Sequence, residues 1–218
     1  MAKDRSSFPT AAAFLPPIPT IPQLREAALG CQGCDLYLRA TQTVFGEGAR
    51  NASVMLIGEQ PGDKEDLAGR PFVGPAGKIL EEALARAGIA RSELYVTNAV
   101  KHFSWEPDER GKRRIHKKPR YSEVQACRPW LEAEIQALHP KVIICMGSTA
   151  AQALLGKQFS VLRQRGVPVP SNLAPFVMAT VHPSSILRAR EDRREQMQAF
   201  IRDLAVAAKQ LHKPSKAA

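Results

Sequence analysis

The chain lacks an apolar run long enough to span a bilayer. It also lacks an N-terminal stretch with the apolar centre and cleavage pattern of a secretory signal, so a cytoplasmic location is expected. Cysteine is scarce, with four in 218 residues. That excludes a disulfide framework in such a compartment and favours metal ligation or buried thiols. No heptad repeat is sustained, which leaves a monomer as the default. Acid is missing from one place in particular: between Arg110 and Arg120 there are seven Lys or Arg and no Asp or Glu. That segment alone supplies seven of the ten net positive charges. Charge so concentrated favours a polyanionic partner, most simply nucleic acid.

Hydrophobic residues make up 44% of the chain, enough for one sizeable domain. Residues 1–22 hold five of the seventeen prolines and form a loosely docked or flexible arm. A single domain is expected over 23–211 and a frayed tail over 212–218. Strands are expected at Val54–Ile57, Leu94–Asn98, Lys141–Met146 and Pro175–Val181, with helices between them. A further helix is expected from Ser122, with Gln125 in the capping-box position. The fold class is therefore α/β, with three layers and a central parallel sheet of about four strands. In such sheets ligands bind beyond the carboxyl ends of the strands. Glu59, Asn98, Ser148 and His182 each follow a different strand and should meet on one rim. The connection Gly58–Gly77, GEQPGDKEDLAGRPFVGPAG, places Glu59, Gln60, Asp63 and Phe72 on that same rim. Ordered connections of such length are usually functional.

Cys31-Gln-Gly-Cys34 has the spacing of a two-thiolate metal knuckle. A redox pair is the rival reading, but no strand precedes it. Further ligands would come from His102, Cys127 or Cys145.

With these corners set, the chain resembles the uracil-DNA glycosylase superfamily, in its iron–sulfur branch that includes the family-4 enzymes. The matching stretches are GEQPGD, GRPFVGPAGK, TNAVK, ICMGSTA and VHPSSILR. Gln60, where family 4 usually has a small residue, and the insert GKRRIHKKP resemble the UdgX-type enzymes, which stay covalently attached to the DNA they process. The resemblance implies a [4Fe–4S] cluster on Cys31, Cys34, His102 and Cys127; mixed thiolate and imidazole ligation has precedent. Zinc would also suit that donor set. Cys145, mid-strand, is expected to be an ordinary buried thiol.

The same resemblance implies the site roles. Phe72 would stack on a flipped uracil, and Asn98 would pair with its O4 and N3–H edge. His182 would donate to uracil O2 as negative charge leaves with the base, and Glu59 would stabilise the sugar cation. Gln60 and Asp63 would orient neighbouring groups, and Gln60 would also contact the uracil. His116 would attack the anomeric carbon and leave a covalent protein–DNA bond. Lys112, Arg113, Arg114, Lys117 and Lys118 would hold phosphates. The substrate would be uracil-containing DNA, preferably single-stranded, with uracil as released product. A hydrolytic glycosylase with ordinary turnover is the first alternative, and a non-catalytic iron–sulfur nucleic-acid-binding protein the second.

Overall fold

Four short runs of aliphatic residues become the centre of one sheet, and each is buried at every position. Residues 8–211 are described by the computed structural model; residues 1–7 of the expected arm and the whole tail lie outside them. In chain order come α1 (Ile21–Ala28), β1 (Glu47–Gly48), β2 (Val54–Gly58), α2 (Asp63–Ala68), α3 (Pro75–Ala87) and β3 (Leu94–Asn98). Then follow β4 (Trp105–Pro107), β5 (Arg114–His116), α4 (Tyr121–Leu138), β6 (Val142–Met146) and α5 (Ser148–Leu155). The chain continues through α6 (Val161–Gln164), β7 (Phe176–Thr180), α7 (Pro183–Arg188) and α8 (Arg193–Leu211).

The main sheet has the order β1-β3-β2-β6-β7. All of its pairings are parallel except that of β1 with β3. Burial on both faces explains why these strands carry unbroken apolar runs and no alternation. Met55, Ile57, Tyr95, Ile143 and Val177 point to the layer containing α1, α4 and α5. Leu56, Val96, Ile144 and Met178 point to the layer of α3, α7 and α8. Cys145 is fully buried in β6, where desolvation raises its thiol pKa to about 12.

The structure departs from the sequence expectations in four places. The edge strand β1 makes a fifth strand, two residues long and without a hydrophobic signature. The connection Gly58–Gly77 contains α2, whose start is tied to that of α3 by Glu65. Its carboxylate accepts from Gly62 N (3.2 Å) and from Gly74 N (2.7 Å). The cap of α4 is Arg120, with Glu123 accepting from its amide at 2.6 Å; the box assigned to Ser122 and Gln125 does not form. The arm is docked as far as the structure describes it. Ala11 is fully buried, and a Cβ on Gly33 would meet its backbone nitrogen at 2.7 Å. Glycine at that position lets the arm lie on the Cys31–Cys34 turn.

Beneath the end of β3 lies a buried charge network. Lys101 Nζ donates to Glu134 Oε2 (2.5 Å), Thr97 Oγ1 (2.7 Å) and the Asn98 carbonyl (2.8 Å), using all three of its protons. Tyr95 and Thr97 donate to Glu134 Oε1. Both charged side chains have zero exposure. Removing one partner of such a pair strands a buried charge. We therefore expect Lys101→Met or Glu134→Gln alone to cost about 3–5 kcal/mol, whereas Lys101→Met/Glu134→Leu should be closer to wild type. Urea denaturation of the three variants measures this.

Candidate active site

At the carboxyl ends of β2, β3, β6 and β7 lies a cavity of about 820 Å³. Glu59, Asn98, Ser148 and His182 all line it, as the strand-end argument requires. Behind its floor, Gly58 lies against three of the lining side chains. A Cβ there would meet Asn98 Oδ1, Phe72 Cζ and His182 Nε2, so the absence of a side chain holds the space between these three groups open. Phe72 sits in the left-handed backbone region (φ 55°), a conformation that costs roughly 1–3 kcal/mol for a non-glycine residue. Its ring lies 6.1 Å from that of His182, with planes 30° apart.

Asn98 is buried, and its Oδ1 has no hydrogen-bond partner. His182 caps α7, with Nδ1 accepting from Ser184 N at 3.2 Å. That bond assigns the ring proton to Nε2, the nitrogen near the pocket floor. Burial, with His116 and Arg188 nearby, lowers the His182 pKa to about 4. The ring is therefore neutral near pH 7 and can donate. Glu59 Oε2 accepts from Thr149 Oγ1, which aims the carboxylate into the cavity.

His116 reaches the same cavity on a second, two-stranded sheet. In this β4–β5 hairpin Trp105 pairs with His116 and Pro107 with Arg114. Asp108 knots the turn: its Oδ1 accepts from Lys112 N (2.7 Å) and Arg113 N (3.0 Å). Gln60 fastens the base, accepting from Ser104 N at 3.1 Å while its amide group faces the carbonyls of Lys117 (2.9 Å) and Ser104 (3.2 Å). The same amide lies 2.9 Å from His116 Nε2, which is 3.5 Å from Glu59 Oε1.

The basic segment is less free than its sequence suggests. Arg114, expected to hold phosphate, is turned inward: its guanidinium bonds Asp63 Oδ1 (2.6 Å) and Asp66 Oδ2 (2.5 Å). The side chain of Asp66 is fully buried and also accepts from Thr41 N, so the pair is an internal pin. In this arrangement Arg114 anchors the hairpin. Asp63 both lines the cavity and holds this guanidinium. Lys117 pairs with Glu106 (2.8 Å) but stays half exposed. Lys112, Arg113 and Lys118 are exposed, and Lys118 lines the cavity. Gln60 lines the cavity while its carboxamide is bonded to the hairpin. Asp66, Thr149 and Ser184 were not singled out from sequence: Asp66 is one of four acids on a single connection, and the two hydroxyls look like any helix start.

Cys31, Cys34 and Cys127 are buried free thiols. Desolvation raises Cys34 to about 12 and also raises Cys127; Cys31 adds to both shifts, and Cys34 to that of Cys127. Cys31 Sγ accepts from Trp130 Nε1 (3.2 Å), and Cys127 Sγ from Lys101 N (3.3 Å). His102 is buried, and desolvation lowers its pKa to about 4. Thr43 Oγ1 donates to the Ala28 carbonyl (2.8 Å), so its contact with His102 Nε2 (2.9 Å) must have the histidine as donor. The unprotonated Nδ1 is then the nitrogen available to a metal, and its partner N–H is already fixed. Among the described residues no group of three His, Cys, Asp or Glu is arranged to hold a metal ion as it stands. The donor chemistry nonetheless suits a thiolate-rich centre, since three buried sulfurs and a buried imidazole are the donors offered.

The family model for the uracil DNA glycosylase superfamily matches residues 45–205. The type-4 uracil-DNA glycosylase of Thermotoga maritima is 38% identical over 168 residues, covering 77% of this chain and 83% of the relative. That of Pyrobaculum aerophilum is 37% identical over 191 residues, with 84% and 91% covered. The enzyme of the same name from Sulfurisphaera tokodaii is 32% identical, with 87% of each chain covered.

The lowered pKa of His182 gives a pH dependence of definite sign. Between about 6.5 and about 4 the unfolded ring is protonated and the folded ring is not, so stability falls as pH falls through that window. This one ring should account for on the order of 3 kcal/mol, fully present above pH 6.5. Denaturant unfolding of wild type and His182→Asn at pH 7 and pH 4 should show the stability difference between them shrinking at the lower pH.

Proposed function

The chain belongs to the uracil-DNA glycosylase superfamily, and from that membership we propose that it removes uracil from DNA and then captures the resulting sugar on His116. The observation that carries the uracil assignment is the partnerless, buried Asn98 Oδ1. Uracil N3–H would satisfy that acceptor, whereas cytosine presents a lone pair there. Phe72 supplies a face on which the extruded base stacks.

Cleavage of the N-glycosidic bond sends its electron pair to the base. His182 Nε2–H, held by Ser184, donates to uracil O2 and stabilises that anion without any proton transfer at neutral pH. Glu59, oriented by Thr149, stabilises the cationic sugar. The lone pair of His116 then forms a bond to the anomeric carbon, and the imidazole loses its other proton to solvent. Support for this step comes from the shared cavity and from the anchoring of His116 by Gln60, Asp63, Asp66 and Arg114, which reduces the entropy of attack. Lys112, Arg113, Lys117 and Lys118 face solvent and would meet phosphates. Cys31, Cys34, His102 and Cys127 would hold a structural [4Fe–4S] centre; the cluster supplies rigidity where the arm, α1 and α4 meet. We take the protein to act as a monomer, preferring single-stranded DNA.

A second reading is ordinary hydrolysis, favoured by the type-4 name of the relatives. In that case Glu59 orients water and the hairpin only adds affinity.

Incubation with uracil-containing single-stranded DNA should give a denaturant-resistant, slowly migrating protein–DNA band that is absent in His116→Ser. Multiple turnovers without such a band would establish hydrolysis. The purified protein should be brown and contain about four irons per chain. Colourless protein containing zinc would overturn the cluster.

A further inference from the structure

The three protons of the Lys101 ammonium do different work. Two go to groups that hold it in place, Glu134 Oε2 (2.5 Å) and Thr97 Oγ1 (2.7 Å), and the third goes to the Asn98 carbonyl (2.8 Å). A buried ion pair contributes little to stability, because desolvation of both charges offsets their attraction and an apolar pair of similar volume does as well. What it supplies is direction. Glu134 is itself held by Tyr95 (2.8 Å) and Thr97 (3.0 Å), so the ammonium has one place to sit and its third bond one line to follow. That line ends on the peptide joining Asn98 to Ala99. The other polar group of the same peptide is fixed as well: Ala99 N donates to the Gly58 carbonyl at 2.9 Å. Gly58 is the residue whose missing side chain leaves room for Asn98 Oδ1.

No such bond holds Asn98 Oδ1. It is buried and has no hydrogen-bond partner, so until a base arrives the aim of the carboxamide is inherited from its backbone. Reading uracil asks that carboxamide to accept from N3–H and donate to O4 at once, a two-point contact that a small rotation of the peptide would spoil. Resting on the glycosylase reading above, we propose that the Lys101–Glu134 pair is a positioning device for uracil recognition. It sets the plane of the Asn98 peptide and, through it, the carboxamide. Neither Lys101 nor Glu134 lines the cavity, so the pair acts on the base only through Asn98.

The test is a double-mutant cycle. Single-turnover uracil release from single-stranded DNA is followed for up to days, so that slow variants are still read. The proteins are wild type, Asn98→Ala, Lys101→Met/Glu134→Leu, and the three substitutions together. With Asn98 present, the paired replacement should lower the rate about 10- to 100-fold, the scale of a displacement of about 1 Å in a reacting site. With Asn98→Ala it should cost less than about 2-fold more, since the group being positioned is gone. Urea midpoints near wild type would separate this loss from one of folding. Thr97→Val removes one of the contacts that hold the ammonium and suits a strand. It should give a smaller loss with the same dependence on Asn98, and it decides the question if the paired variant does not fold. An undiminished rate, or equal losses with and without Asn98, overturns the positioning role. Absence of uracil release by wild type is a different result, and overturns the glycosylase reading itself.

Discussion

The carboxamide of Gln60 is where the doubly wound domain and the basic hairpin become one object. It accepts from Ser104 at one strand's base, faces the Lys117 carbonyl at the other's, and touches the imidazole of His116. Because Gln60 follows β2 by two residues, its position is fixed by the sheet itself. A histidine on an otherwise solvated loop thereby inherits the rigidity of the core. Without that joint the hairpin would rely on the Arg114 pin and on the bond from Trp105 Nε1 to the Arg39 carbonyl, both away from the imidazole.

A basic protein is usually imagined with its cations on the outside. Here several are structural. Arg114 is spent on Asp63 and Asp66, Arg120 on Asp35 and Glu123, and Lys101 on Glu134 within the core. Formal net charge therefore overstates the field available to a polyanion. What remains facing outward on the hairpin segment near the pocket is a short series, Lys112, Arg113, Lys117 and Lys118, with Lys64 and Arg188 on the pocket's other walls. Burying Lys101 has a further effect: it satisfies the carbonyl of Asn98 at the point where the ladder ends, so the Asn98 side chain projects from a fully bonded backbone.

Most of the site was legible because a parallel sheet converts chain order into position. Glu59, Asn98, Ser148 and His182 could be assigned to one rim from strand ends alone, and Phe72 from its place among glycines and prolines. The hairpin was not legible. Trp105-Glu106-Pro107 and Arg114-Ile115-His116 are three residues each, contain proline and charge, and bury little, so period-2 alternation had nothing to act on. For the same reason the inward turn of Arg114 was hidden: seven similar cations in a row carry no sign of which one meets a buried acid. Gln60 was noticed as an oddity of type, but its role depends on carbonyls more than forty residues away. Helix α2 was missed because the residues around it are the ones that mark loops. The metal question stays chemical: spacing supplied the Cys31–Cys34 pair, the family resemblance pointed to His102 and Cys127, and the Thr43–His102 bond supplies the tautomer.

The hairpin closes on itself twice, through Asp108 near its tip and Gln60 at its root, while Glu109, Arg110 and Gly111 at the bend touch little else. Chain continuity there is consequently dispensable in a way it is not elsewhere. New termini opened at that bend would leave both halves of the ribbon anchored, so the fold could tolerate permutation, or a grafted cargo, at the edge of its own reaction chamber.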